Sequence, residues 1–128
     1  MNNPNVAVYS RIANTNDELI ARQENSLLLY ARLNGIAEDS DCVCFCDNGV
    51  SGISMDRPGL KKLMAAIRDG EVGVVIVKDS SRIARDLHCF IELMEFAQAH
   101  CVEVISINDG SDLVSWFELT RTWMSALK

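Results

Sequence analysis

Glu71-Val72-Gly73-Val74-Val75-Ile76-Val77-Lys78-Asp79 decides the fold class. Val72 to Val77 is almost continuously apolar and short, the mark of a parallel strand covered on both faces, and a polar turn follows it at once. Upstream, Asp56 and Pro58 read as the capped start of a helix whose apolar residues Leu60, Leu63, Met64 and Ile67 share one face and whose stop is Gly70. Downstream, Glu92 to Ala99 continues a further helix ahead of a strand over Val102 to Ile107. Near the N-terminus, Val6-Ala7-Val8-Tyr9 is β-prone and its strand ends near residue 12. Thr15 and Glu18 have capping-box spacing, and Leu19, Ile20, Gln23, Leu27, Tyr30, Ala31 and Leu33 then keep helical period up to Gly35. Cys42-Val43-Cys44-Phe45-Cys46 forms the second strand, and Asp47 to Gly52 is a loop. This β-α alternation predicts an α/β fold with three layers: a mainly parallel sheet with helices on both faces. In such sheets sites collect beyond the carboxyl ends of the strands, here the loops after residues 12, 47, 77 and 107.

Composition narrows the function classes. A chain of 128 residues makes one domain rather than two halves around a cleft, and 48% hydrophobic with 23% charged residues excludes disordered and low-complexity classes. Formal net charge is -6, so nucleic acid can be gripped only where the basic residues cluster. No apolar run approaches the roughly 20 residues a membrane span needs, and the N-terminus lacks a signal-peptide layout, so a cytoplasmic protein without a membrane partner is expected. The five cysteines are then expected as buried thiols. Although Cys42, Cys44 and Cys46 invite a metal reading, alternate strand positions share a face and no His lies nearby, which favours a core strand. His88 and His100 are expected on or near the surface; no metal site and no cofactor are expected.

Three cations, Lys78, Arg82 and Arg85, fall on the loop after the decisive strand. Once the chain turns helical, Arg82 and Arg85 project from one side and can grip a phosphate bidentately. Arg11 ends the first strand at the same edge and Arg57 opens the helix after the glycine-rich loop. Four arginines on adjacent loops would make a basic pocket inside an acidic protein. No phosphate-loop or dinucleotide-binding glycine signature accompanies them, so nucleotide binding has nothing to rest on.

Over about residues 6 to 110 the ordered motifs Tyr9-Ser10-Arg11-Ile12-Ala13, Gln23, Asp47 to Leu60 and Val77 to Asp86 resemble the catalytic domain of the serine recombinases, the resolvase/invertase family. Ser81 stands where the small resolvases carry an acidic residue, a form closer to the large transposon and phage integrases. The resemblance implies that a serine hydroxyl attacks a DNA phosphodiester, forming a phosphoserine link, while arginines rather than metals stabilise the phosphorane. It assigns Arg11, Arg57, Arg82 and Arg85 to phosphate binding, Gln23 to an active-site polar role and Ser81 to the altered acidic position. Such chemistry depends on positioning and charge stabilisation, which several guanidiniums supply.

The nucleophilic serine of the family falls on position 13, which is Ala13 here. Deleting a nucleophile costs on the order of a million-fold in rate, so the chain as written is expected to be cleavage-deficient. Ser10 points to the strand face opposite Tyr9 and Arg11, and Thr15 is expected to cap the helix. The resemblance further implies DNA as a partner, weakly bound by this chain alone, and self-association or association with full-length recombinase. Residues 1–110 are expected as the catalytic domain and 111–128 as a C-terminal helix, the start of a truncated dimerisation helix. The alternative is a non-catalytic regulatory or assembly module that joins active recombinase subunits, and a weaker third reading is a domain binding a small phosphorylated ligand.

Overall fold

A computed structural model describes residues 5–51, 56–79, 82 and 87–108, together with the backbone of 111–112. Strands β1 (Asn5–Ile12), β2 (Cys42–Asn48), β3 (Val72–Val77), β4 (Glu103–Ser106) and β5 (Ser111–Asp112) form one sheet in the order β2-β1-β3-β4-β5. The first four run parallel and β5 pairs antiparallel with β4. Helices α1 (Asp17–Leu33), α2 (Pro58–Arg68) and α3 (Leu87–Ala99), with a short 3-10 turn at Asp39–Asp41, complete the described elements. Ser111 and Asp112, expected at the head of a C-terminal helix, are strand; the rest of that segment, 113–128, lies outside the described residues.

Strand parity sorts the core into two layers. Ala7 and Tyr9 join Leu60, Leu63, Val75, Val77, Leu93, Met94 and Val104 under α2 and α3, whereas Val6, Val8 and Ile76 meet Leu27 and Ala31 of α1 on the other face. The expected three layers are therefore present, with β1 and β3 central, as their apolar runs require. No helix among the described residues is long and apolar enough to cross a membrane.

The cysteine row departs from expectation. It is a strand, but β2 is the edge strand, and Cys44 and Cys46 are exposed with Cys42 half-buried; among the five thiols only Cys89 is buried. An apolar run reads alike at the centre and at the edge of a sheet, and strand order, which distinguishes them, is not a local property. Burial and the neighbouring Glu24 carboxylate, to which the thiol is hydrogen-bonded, push Cys44 up to about 12.

Both helix starts are capped by residues other than those expected. The α1 cap is Asn16, not Thr15: its side chain accepts from the Leu19 amide at 3.0 Å. Asn48 at the end of β2 fixes that choice, accepting from the Asn16 amide at 2.9 Å and donating to Asp17 at 2.8 Å. Glu18, free of a capping box, pairs with Arg22. At α2, Asp56 turns outward to Lys61 (2.6 Å), and Asp47 of β2 supplies the cap instead, accepting from the Gly59 and Leu60 amides at 2.7 and 2.9 Å. A buried carboxylate on a helix N-terminus satisfies orphan amides and complements the dipole.

Candidate active site

The sheet brings Arg11 and Asp47 side by side at the carboxyl edge, where they are register partners on neighbouring strands. Helix α2, capped by Asp47, delivers Arg57 to the same place. Close approach is required there, because a Cβ on Gly59 would collide with the Cys46 carbonyl oxygen. Gly49, at φ +85, makes the turn out of β2 against Thr15.

A buried polar network results. Asp47, 3% exposed, accepts from the Tyr9 hydroxyl at 2.7 Å, and that hydroxyl in turn accepts from Arg57 Nη1 at 3.2 Å. The Arg57 guanidinium also lies 5.9 Å from the Tyr9 ring centroid. Burial, and then donation to Asp47, raise the Tyr9 pKa far above the ordinary phenol range, with Arg57 opposing. The phenol therefore stays protonated and relays order from Asp47 to Arg57. Each hydrogen bond to the carboxylate contributes about 1.5 to 3 kcal/mol.

Arg11 is held from three directions. Gln23 of α1 clasps its main chain, accepting from the amide at 3.0 Å and donating to the carbonyl at 3.4 Å. Its guanidinium donates to the Val50 carbonyl at 2.9 Å and, through Nε, to the Arg82 carbonyl at 3.2 Å. Arg57 Nη1 donates to that same Arg82 oxygen at 3.1 Å. Arg11 and Arg57 are 1% and 0% exposed, while Arg82 is half-buried with an Nε that is buried and without a hydrogen-bond partner.

Of the residues singled out from sequence, Arg11, Gln23, Arg57 and Arg82 meet in this network. Ala13 lies exposed just past β1 at the same edge. Ser81 and Arg85 lie outside the described residues. Ser10 is fully buried, its Oγ without a hydrogen-bond partner, and stands one position from Tyr9 and Arg11 on the strand, hence on the opposite face. Two participants were missed as site residues, Tyr9 and Asp47. Asp47 could have been found as the first polar residue after the cysteine strand, the position at which a parallel strand reaches its functional edge. Among the described residues no group of three or more His, Cys, Asp or Glu is placed to hold a metal ion.

The domain is a mainly parallel α/β fold in which two buried arginines, Arg11 and Arg57, converge at the carboxyl edge. Its family is the Resolvase, N terminal domain family, whose model matches residues 6–126; the chain belongs to it and is a serine-recombinase catalytic domain. The N-terminal catalytic domain of TP901-1 integrase is similar in fold, with a TM-score of 0.80 at 24% identity over 95% of this chain and 94% of that one. The first open reading frame of transposon ISC1904 from Sulfolobus solfataricus P2 matches with a TM-score of 0.67 at 26% identity, covering 94% and 81%. A resolvase-family site-specific recombinase from Streptococcus pneumoniae matches with a TM-score of 0.71 at 22% identity, covering 97% and 89%.

Proposed function

We propose that this chain is the catalytic domain of a site-specific DNA recombinase that retains its phosphate-binding apparatus and lacks its nucleophile. One observation carries the reading: Arg11 and Arg57, from separate elements, converge on the single main-chain carbonyl oxygen of Arg82, and position 13, two residues beyond Arg11, is alanine. A purely structural role asks for one such cation, since a second buried guanidinium adds desolvation and repulsion. Convergent guanidiniums suit a phosphorane, whose developing charge needs stabilisation more than bond-making groups. A methyl group at position 13 leaves that binding intact and removes the attacking oxygen.

The partner is DNA, held weakly by residues 1–128 because the net charge of -6 opposes a polyanion. By motif position Arg82 and Arg85 complete the set of phosphate-binding arginines, Gln23 positions Arg11, and Ser81 occupies the altered acidic position. The protein self-associates, or joins catalytically competent recombinase subunits, in the cytoplasm. Replacing both Arg82 and Arg85 by Ala tests the site: inorganic phosphate binding followed by NMR titration should be lost while the melting temperature stays nearly constant. Retained binding with collapsed melting would make these arginines structural and overturn the assignment.

A further inference from the structure

We propose that the anion site rests in a latched state, in which the main-chain carbonyls of Val50 and Arg82 take the guanidinium positions of Arg11 and Arg57 that a phosphodiester oxygen would occupy. The inference rests on the reading of this pocket as a phosphate site. Arg11 divides its donors between the two carbonyls, at 2.9 Å to Val50 and 3.2 Å to Arg82, and Arg57 places Nη1 3.1 Å from the Arg82 oxygen. Two cationic nitrogens thus share one neutral acceptor. With 1% and 0% of their surface open, neither residue can touch a phosphate on a DNA backbone while those bonds stand.

The rest of the network indicates which half must give. Tyr9 and Asp47 hold Arg57, and Asp47 is itself pinned by two α2 amides. Gln23 clamps the Arg11 main chain to α1. The Arg57 guanidinium and the Arg11 main chain are therefore anchored from within, and the carbonyls at 50 and 82, on connections between elements, are the partners able to leave. An exchange would be favourable once an anion arrives, because a guanidinium bond to a charged oxygen is roughly twice as strong as one to a neutral carbonyl. A ligand that binds only the unlatched form also sees its affinity reduced by the fraction of molecules in that form, so resting chains would discriminate against stray phosphates.

The test uses the whole 128-residue chain, isotopically labelled, with inorganic phosphate as the probe. In the free protein the Arg11 Nε proton should exchange with solvent at least tenfold more slowly than that of Arg22, whose side chain is 70% exposed. Adding phosphate should shift the carbonyl carbon signals of Val50 and Arg82 together, while the Arg11 Nε proton, passed from carbonyl to anion, stays slow to exchange. Two results overturn the latch while sparing the phosphate site: an Arg11 proton that exchanges as fast as Arg22 without phosphate, or phosphate that perturbs the Arg82 guanidinium and leaves both carbonyls unmoved. Absence of any arginine response to phosphate contradicts the site reading itself, and the latch with it.

Discussion

Within seven residues β2 passes from one physical regime to another. Its first part, Cys42 to Cys46, is the more hydrophobic and lies open along the sheet edge, while Asp47, a charged residue, is buried and accepts from Tyr9, Gly59 and Leu60. Hydrophobicity alone would have ranked the two the other way. What separates them is the presence of partners: an edge strand has covering chain on fewer sides, whereas the carboxyl end of a parallel strand meets the N-terminus of the next helix, whose amides need an acceptor.

Asp47→Ala should break that contrast most severely. It orphans two helix amides and the Tyr9 hydroxyl and leaves Arg57 without its relay, so chemical denaturation should show a loss of about 3 to 5 kcal/mol. A loss under 1 kcal/mol would mean the buried end of the strand is no better supported than the open one. Next in size is Gly59→Ala, which drives a methyl into the Cys46 carbonyl and toward the Asp47 side chain; overpacking against backbone should cost about 1 to 3 kcal/mol by the same measurement.

At the open end, Cys44→Ser should change stability by less than about 0.5 kcal/mol, as surface substitutions do. Its thiol should nevertheless alkylate slowly at pH 8 compared with an unstructured cysteine peptide, because exposure without thiolate gives little nucleophile. The sign of the linkage follows. A thiol whose folded pKa is raised from 9.0 to about 12 favours the native state below pH 9, and that contribution is lost as pH climbs from 9 toward 12. Alkylation of Cys44 at the peptide's rate would remove the role given to Glu24.

The legible part of the fold was whatever one segment determines alone. The apolar run of β3, the α1 stripe through Leu27 and Ala31, and the places of Arg11 near the end of β1 and Arg57 at the start of α2 all read correctly, since period and position suffice for them. Choices between near-equal neighbours did not. Thr15 and Asn16 are both good caps, and Asn48, some thirty residues away, selects the second; Asp56 and Asp47 compete for α2, and the choice falls to the one that β2 carries into the core. The burial of Arg11 and Arg57 was equally invisible, because the carbonyls that accept from them belong to Val50 and Arg82, far along the chain.

Ala13→Ser tests the central claim most directly, namely that this pocket is a recombinase site disarmed at one position. The variant is joined to the downstream portion of an active relative, given that relative's DNA site, and assayed for DNA covalently attached to protein, with the unsubstituted Ala13 chimera alongside. On that claim the preorganised charge stabilisation, usually the largest catalytic contribution, is intact, so the restored hydroxyl should yield an adduct mapping to residue 13, and Ala13 should yield none. A chimera that folds, assembles on its site and never forms the adduct would contradict the claim and assign the domain to a regulatory or assembly role.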